Sequence, residues 1–294
     1  MKLHTLIINP KAGHLFNRWK FNKLKKNLIE RIPCEIFYTQ YKNNASEIAS
    51  KQYKNGCRSF IIFGGDGTIF EVINGIYPEG FSDPPTIGIF PTGTGNSMIK
   101  DFNLDQKTSL NAIQNMKTTY LDINELVCKE KKYFSTNIIS TGFVAQVGTF
   151  RNRYFSKFGS IGYIIAVLIN LFSYKSKAFS ITVDGKTIFQ PWSFLSFNNT
   201  RFTGGNMMMA PHADPTDGKI ATVLVQQQSP WKLLRAFPKI FSGEHTFFPF
   251  VEIMQAENIR FEEPVLQSIM IDGEMIKAEP SEVIVHKNAL KIYT

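Results

Sequence analysis

The feature that most constrains the fold is the alternation of strand-like and helix-like apolar patterns from Met1 to about Asp122. Strand-like runs lie at Leu3–Ile8, Glu35–Tyr38, Phe60–Phe63 and Ile87–Phe90. Helical spacing lies between and after them, at Phe21–Arg31, Ala45–Lys54, Ile69–Ile76, Asn96–Asp101 and Leu110–Met116. Because parallel strands need crossover connections, which are usually helices, the alternation predicts an α/β domain on a mostly parallel sheet.

After about Leu121 the pattern changes to short β-rich runs, which predicts a second, antiparallel domain and hence domains over 1–121 and 122–294. These runs are Tyr133–Ile139, Ala178–Val183, Phe194–Phe197, Ile220–Val225, Ser268–Ile271, Val283–His286 and Leu290–Tyr293. Two inserted helices are predicted, within Ile161–Phe172 and around Trp231–Phe241. The apolar run at Ile161–Tyr174 is shorter than the ~20 residues that span a bilayer, so it is either a core helix or a segment at a membrane interface.

The net positive charge of the chain limits the classes of ligand that it is expected to bind. Lys and Arg outnumber Asp and Glu by 33 to 24, so the net charge of +9 favours nucleotide phosphates, anionic lipids or nucleic acid. No nucleic-acid-binding motif is found. The three cysteines show no paired spacing, which argues against a disulfide framework or a zinc site and predicts a reducing cytoplasm.

The most informative motif is Gly64-Gly65-Asp66-Gly67-Thr68, which follows an apolar run and precedes a helical pattern. Glycines allow a close backbone approach, and the amides at the start of a helix favour an anion, so this spacing predicts phosphate binding. The alternative is an Asp-Gly hairpin turn. A hairpin should be followed by alternating polar and apolar residues, and that alternation is absent.

Two further loops follow predicted strands, at residues 9–13 and 91–97. In an open α/β sheet the loops at the carboxyl ends of the strands line the ligand crevice, so all three loops are expected at one site, although each alone is compatible with an ordinary turn. The patterns of P-loop nucleotidases and of dinucleotide dehydrogenases are absent.

The second half carries two acidic pairs beside turns. Asp214 and Asp217 are spaced to hold a hard divalent cation, and an exposed Asx turn explains them equally well. Asp272 and Glu274 flank Gly273, where one carboxylate could accept a hydroxyl proton or the pair could simply close a hairpin.

In combination, these motifs resemble the diacylglycerol kinase catalytic superfamily of lipid kinases, which includes bacterial diacylglycerol kinases, sphingosine kinases and bacterial lipid-kinase-like proteins. The resemblance covers almost the whole chain, through the segments 9–13, 64–68, 71–75, 93–96, 140–143, 204–205, 210–211, 217–218 and 272–274. Two segments depart from the family pattern. Asn43-Asn44-Ala45 stands where Gly-His-Ala is usual, and Asn96-Ser97-Met98 stands where bacterial diacylglycerol kinases commonly carry Asn-Asp-Phe.

The resemblance implies an N-terminal domain related to the phosphofructokinase and NAD kinase folds and an antiparallel, β-sandwich-like C-terminal domain with inserted helices. It implies ATP contacts from Asn9, Pro10, Lys11, Ala12, Gly13, Thr39, Gly64, Gly65, Asp66, Gly67, Thr68, Glu71, Gly93, Thr94 and Asn96. It implies that Mg²⁺ is held by Asp214, Asp217 and the backbone carbonyl of Lys219. The base that takes the hydroxyl proton would be Asp272, Glu274 or Asp66, and the alternative role of Asp66 is to serve Mg²⁺.

The expected function is therefore that of an ATP- and Mg²⁺-dependent kinase acting on a hydroxyl group of diacylglycerol or a sphingoid base. We expect a cytoplasmic protein that associates peripherally with membranes, binds lipid through apolar residues around 143–155 and 161–172, and needs neither nucleic acid nor a partner protein; a homodimer is left open. The alternatives are a soluble NAD-kinase-like enzyme and a catalytically silent lipid-binding protein on the same scaffold.

Overall fold

The computed structural model describes residues 4–12, 18–80, 83–92, 95–143, 147, 150, 166, 169–170 and 177–294. The chain divides into two compact units. Unit 1 contains Met1–Asp122 and Asn288–Thr294, and unit 2 contains Ile123–Lys287. Within the described ranges, no helix combines the length and the apolar character needed to cross a membrane.

Unit 1 is built on a parallel sheet, as predicted. Its elements are β1 (His4–Ile8), α1 (Arg18–Arg31), β2 (Cys34–Tyr38), α2 (Asn44–Lys54), β3 (Ser59–Gly64), α3 (Asp66–Ile76), β4 (Thr86–Pro91) and α4 (Gln106–Asn115), with 3₁₀ helices at Tyr77–Glu79 and Met98–Phe102. The strand order is β2-β1-β3-β4, with β4 paired along its other edge to the end of β17 (Pro280–Tyr293). Each of these pairs is parallel.

The core of unit 1 forms because its central strands are apolar along their length. All of β1 is buried, as are five of the six residues in each of β3 and β4, which is the pattern of strands covered on both faces. Phe63 stacks on Phe90 with ring centroids 5.5 Å apart and meets Phe21 of α1 edge-on at 4.8 Å. These contacts anchor α1 against the strands whose ends carry the predicted loops.

Helices α2 and α3 approach each other closely at Gly75. A Cβ atom on Gly75 would lie 2.2 Å from the backbone carbonyl oxygen of Ser46, a distance that no side chain can tolerate. The glycine four residues after Glu71 therefore lets α3 pack directly on the backbone of α2.

Unit 2 is antiparallel throughout its described pairings. Its strands are the end of β5 (Thr118–Cys128), β6 (Lys132–Ser135), β7 (Ile138–Gly142), β8 (Lys177–Val183), β9 (Lys186–Asn198), β10 (Phe202–Thr203), β11 (Met207–Met208), β12 (Ile220–Gln226), β13 (Val251–Ala256), β14 (Asn258–Phe261), β15 (Gln267–Ile271), β16 (Glu274–Ala278) and the first part of β17. The helix α5 (Pro230–Ala236) and 3₁₀ helices at Phe237–Phe241 and Glu244–Phe247 lie between β12 and β13.

Strand β9 organises unit 2. Its first half pairs with β8, while its second half is fully buried and pairs with β7 on one side and β12 on the other. The predicted antiparallel character of the second half of the chain is thus confirmed.

The predicted domain limits differ from these units at the C-terminal segment. Residues 288–294 were assigned to the second domain, but Lys291 and Ile292 pair with Thr86 and Ile87 of β4, and this segment belongs to unit 1. The physical reason is that β4 would otherwise present an unpaired edge of its buried sheet. The predicted division near Leu121 falls inside β5, which runs from Thr118 to Cys128 without Gly or Pro to break it.

Several predicted elements have different bounds. The run over 133–139 is two strands, β6 and β7, separated by a turn at Thr136 and Asn137. The runs over 283–286 and 290–293 are one strand, β17, because Asn288 adopts a left-handed φ of 55° and the strand continues.

The helical predictions have mixed outcomes. The helix over 96–101 is instead the 3₁₀ helix at Met98–Phe102, whereas the one around 231–241 is present as α5 and the 3₁₀ turn that follows Ala236, next to Pro238. Most of the predicted helix over 161–172 lies outside the described residues.

Candidate active site

The predicted loops of unit 1 meet at the carboxyl ends of β1 and β3. These two strands flank the topological switch point of the sheet, because the chain passes from β1 to β2 on one side of β1 and then crosses to β3 on the other side. Asn9, directly after β1, donates from its backbone amide to the carbonyl of Phe63, 3.0 Å away. Its side-chain Nδ2 donates to Oγ1 of Thr68 at 3.1 Å, and its Oδ1 accepts from the amide of Lys11 at 3.0 Å. Such a switch point is where open α/β sheets bind ligands.

The Gly-Gly-Asp-Gly-Thr motif forms the start of α3. Gly64 ends β3, Gly65 is the extended residue that precedes the helix, and Asp66 is the first helical residue. The first amides of a helix have no partner within the helix and favour an anion, and Gly65 and Gly67 keep the approach to them clear of side chains. The hairpin alternative for this motif is wrong, because α3 follows directly.

The loop after β4 is tied to the same point. The backbone amide of Ser97 donates to both carboxylate oxygens of Asp66, at 3.1 and 3.2 Å, and the amide of Thr92 donates to the carbonyl of Gly64 at 3.1 Å. A Cβ on Gly95 would lie 2.8 Å from Oδ2 of Asp66, so a larger residue here would force the Asp66 carboxylate to move. The structure therefore brings together parts of all three loops predicted to converge.

A cation that the sequence did not single out lies beside this junction. Burial lowers the pKa of the Lys100 ammonium, and the nearby Asp66 carboxylate opposes that shift. Lys100 belongs to the 3₁₀ helix that follows the third loop. Its position could have been inferred only from the convergence of that loop with the start of α3.

Glu71 has a structural role within unit 1. Its Oε1 accepts from the amide of Asn43 at 2.9 Å and its Oε2 from the amide of Ala45 at 3.2 Å. It therefore caps the N-terminus of α2, where a negative charge is favourable. Asn43, in the segment that departs from the family pattern, has a left-handed φ of 69°. Glu71 thus positions the loop that follows Thr39.

The other predicted nucleotide contacts are placed as follows. Thr39 is buried and its amide donates to the carbonyl of Ile8 at 2.9 Å, next to the end of β1. Pro10 and Lys11 are exposed, Ala12 is half-buried, and Asn96 has a left-handed φ of 46°. Gly13, Gly93 and Thr94 lie outside the described residues.

In unit 2, Asp272 and Gly273 form the hairpin turn between β15 and β16. Ile271 pairs with Glu274, and both turn residues have positive φ, 49° and 91°, as a type I′ turn requires. The hairpin interpretation of this Asp-Gly pair is confirmed. Glu274, the first residue of β16, is half-buried.

The side chain of Asp272 is buried and accepts hydrogen bonds from a turn more than 130 residues earlier. The donors are the hydroxyl of Ser135 (2.6 Å), the amide and hydroxyl of Thr136 (2.9 and 3.2 Å), and the amides of Asn137 (3.1 Å) and Ile138 (2.9 Å). Burial raises the pKa of the Asp272 carboxyl, and these hydrogen bonds oppose the rise. The carboxylate holds the turn between β6 and β7, so a role as base would compete with this anchoring.

Asp214 and Asp217 of unit 2 sit in consecutive turns. Asp214 Oδ1 accepts from the amide and hydroxyl of Thr216, at 3.0 and 2.7 Å, and Asp217 Oδ1 accepts from the amide of Lys219 at 2.8 Å. The Asx-turn interpretation is therefore correct for Asp214.

The Asp214 and Asp217 carboxylates lie close enough for the charge of one to act on the other. Burial raises the pKa of the Asp217 carboxyl, the Asp214 carboxylate raises it further, and the Lys219 amide opposes the rise. A hard cation would relieve this repulsion, and the donors it prefers are carboxylate and carbonyl oxygens. Among the described residues, those around Asp214 and Asp217 included, no group of three or more His, Cys, Asp or Glu side chains is placed to hold a metal.

Comparison with known proteins places this geometry in context. Residues 4–126 match the model of the diacylglycerol kinase catalytic domain, and residues 137–294 match that of the YegS C-terminal NAD kinase beta sandwich-like domain. A diacylglycerol kinase of Mycobacterium tuberculosis (strain ATCC 25618 / H37Rv) is 29% identical over 256 residues, which are 85% of this chain and 81% of the relative. A crystal structure of a diacylglycerol kinase from Bacillus anthracis str. Sterne has a TM-score of 0.78 at 21% identity, covering 99% of this chain and 96% of that one, and shows the same fold.

Proposed function

This chain belongs to the family that joins a diacylglycerol kinase catalytic domain to a YegS-type C-terminal domain, and we propose that it is a lipid kinase. In this proposal it transfers the γ-phosphoryl group of ATP to a hydroxyl of diacylglycerol or a sphingoid base. The family membership supports a phosphotransferase. The nucleotide, the metal and the acceptor lipid are the parts that we propose.

The observation that carries the proposal is the junction of the three loops in unit 1. Asn9 is bonded to Thr68, and Ser97 is bonded to Asp66, so the start of α3 is held at the switch point of the sheet. Phosphoryl transfer requires positioning and charge stabilisation more than covalent chemistry from the protein. Helix-start amides with the Lys100 ammonium nearby supply both to the phosphates of ATP.

In the proposed reaction, the oxygen of the lipid hydroxyl bonds to the γ-phosphorus while the bond from that phosphorus to the β-phosphate oxygen breaks and ADP leaves. The hydroxyl proton passes to a carboxylate, for which Asp66, Asp272 and Glu274 are the candidates. Asp272 is the least available of the three, since its carboxylate is buried and accepts five hydrogen bonds from residues 135–138.

Mg²⁺ would be held by Asp214, Asp217 and the carbonyl of Lys219, where it would neutralise carboxylate charge and order the turns that carry them. The remaining ATP contacts that we propose, from Pro10 to Gly13 and from Gly93 to Asn96, follow Asn9 or precede Ser97 in the chain, the two residues that are bonded to the start of α3. Thr39 would contribute through the loop that Glu71 caps.

Ser97 is the reason that we propose two classes of acceptor lipid, diacylglycerol and sphingoid bases. Bacterial diacylglycerol kinases commonly carry an aspartate where this chain has Ser97, and the segment is closer to that of long-chain-base kinases. We also propose a cytoplasmic protein that works peripherally at a membrane, since both acceptors are membrane lipids.

The test offers γ-labelled ATP and Mg²⁺ to the purified protein with diolein, monoacylglycerol, sphingosine, ceramide, phosphatidylglycerol and NAD in parallel. We expect label in diolein or sphingosine, and its loss in Asp66→Ala, with Asp101→Ala as an acidic control outside the motif. Label in NAD alone would overturn the proposal in favour of an NAD-kinase-like enzyme. No label in any acceptor, with vesicle binding intact, would favour a catalytically silent lipid-binding protein.

A further inference from the structure

The segment between β12 and β13 of unit 2 is rich in aromatic side chains. Residues 231–250, here called the aromatic–basic segment, contain Trp231, Phe237, Phe241, Phe247, Phe248 and Phe250. Three of them are unusually exposed for their size: Trp231 at 70%, Phe241 at 45% and Phe247 at 82% of their accessible surface. Leaving three large aromatic rings of one short segment in water forgoes the favourable free energy of burying them, and exposed apolar surface of this kind is typical of an interaction site.

The exposure of Trp231 follows from the way α5 packs. Leu233 and Leu234 pack against the core of unit 2 beside β12. Trp231 and Arg235, four residues apart, therefore share the opposite, solvent-facing side of the helix with Lys232, and all three are exposed. The core contacts of α5 fix which side chains face outward.

The charge of the segment is basic. Lys232, Arg235 and Lys239 are exposed, and the only carboxylate in residues 231–250 is Glu244, which pairs with Lys239. The formal balance of three basic residues against one acidic residue leaves +2 on the exposed segment. Aromatic rings beside lysine and arginine match the two layers of an anionic bilayer surface, the acyl boundary and the headgroup phosphates.

We propose that the aromatic–basic segment docks unit 2 onto an anionic lipid surface, with Trp231, Phe241 and Phe247 at the acyl boundary and Lys232 and Arg235 at the headgroups. This inference rests on the proposed function for its biological purpose, because a kinase whose acceptor is a membrane lipid must reach the bilayer. It places membrane contact outside residues 143–155 and 161–172, the segments whose sequence predicts lipid contacts.

The test is co-sedimentation of the full chain with vesicles of phosphatidylcholine alone and of phosphatidylcholine mixed with phosphatidylglycerol. The double variant Trp231→Ala/Phe247→Ala should bind the mixed vesicles at least about tenfold more weakly, since each ring loses its apolar contact. Lys232→Glu/Arg235→Glu should weaken binding to mixed vesicles by about fivefold for each basic residue removed, with little change on phosphatidylcholine alone. Raised salt should weaken the wild type but should affect the charge variant less.

The matched control is Phe189→Ala, which removes an aromatic ring that is 69% exposed on β9 of the same unit. It should bind vesicles like the wild type. Equal binding by the wild type and the double aromatic variant, or equal loss in Phe189→Ala, would overturn the proposal. Loss of self-association in the double variant with unchanged vesicle binding would also overturn it, because a second copy of the chain would then cover the surface.

A parallel assay with water-soluble short-chain diacylglycerol and sphingosine, without vesicles, separates this inference from the proposed function. If the wild type is active and the variants of the aromatic–basic segment bind vesicles as well as the wild type does, the docking surface alone is refuted. Vesicle binding that depends on the segment, with no phosphorylation of any lipid, would refute the kinase proposal and leave the docking surface supported.

Discussion

Replacing Asp272 with alanine is expected to destabilise unit 2 as well as to test its candidacy as a base. The variant removes the acceptor for three backbone amides, those of Thr136, Asn137 and Ile138, in a fully buried turn. A buried donor left without an acceptor costs about 1–3 kcal/mol. Three of them, with some relief from water entering the vacated space, give a loss of about 4 kcal/mol, against a total of about 5–15 kcal/mol for a typical domain.

The chain contains a matched control for this prediction in a second Asp-Gly turn. Asp184, between β8 and β9, also has positive φ and also accepts from two backbone amides, those of Glu257 at 3.0 Å and Asn258 at 2.9 Å. Unlike Asp272, it is exposed. Asp184→Ala should therefore cost only about 1 kcal/mol, because water can replace the carboxylate. The difference between the two variants measures the effect of burial.

The assay is urea unfolding followed by far-ultraviolet circular dichroism and by the fluorescence of the tryptophans, of which Trp192 is buried in β9. Turnover is measured below the onset of unfolding. An Asp272→Ala protein within about 0.5 kcal/mol of the wild type, the range of ordinary surface substitutions, would refute the anchoring argument. If that stable variant had also lost turnover, the carboxylate would be assigned to the chemistry.

Glu71→Ala removes the cap of α2, so it should lower the free energy of unfolding by about 1–2 kcal/mol and raise the KM for ATP. Urea unfolding and a nucleotide titration measure these two effects. An unchanged urea midpoint would argue against the cap. Gly75→Ala should cost about 1–3 kcal/mol, because its Cβ meets the Ser46 carbonyl, and a thermal melt indistinguishable from that of the wild type would contradict this packing. Burial lowers the pKa of His245 from 6.5 to about 4. The free energy of unfolding should therefore be highest above pH ~6.5 and should fall by about 3 kcal/mol as the pH is lowered towards ~4. In His245→Asn, urea titrations across that range should show a free energy of unfolding that depends less on pH. Asp217→Asn should raise the Mg²⁺ concentration needed for half-maximal turnover, and an unchanged requirement would remove Asp217 from the cation site.

The fold of unit 1 was accessible from sequence because its central strands are apolar on both faces, which leaves a continuous run such as the one in β3. Parallel topology then sends the loops after β1, β3 and β4 to the same edge, so their meeting through Asn9, Thr68 and Asp66 could be expected without a structure.

Contacts between distant segments could not be predicted in this way. The choice between a base and a hairpin at Asp272 depended on donors 134 to 137 residues earlier, and the cap formed by Glu71 depended on amides in another helix. The continuity of β17 was hidden by a polar interruption. The structure bridges it at Asn288, whose amide donates to Asp122 at 2.7 Å.

The pairing of residues 288–294 with β4 has a consequence for how the protein can be synthesised and dissected. Unit 2 is translated before residues 288–294, the end of β17 that pairs with β4. During synthesis one edge of β4 therefore stays unpaired and exposes apolar residues. A fragment cut at the limit of the catalytic-domain match, residue 126, would keep that edge permanently. We expect such a fragment to pair with other chains along β4, and to be rescued by a peptide carrying residues 288–294.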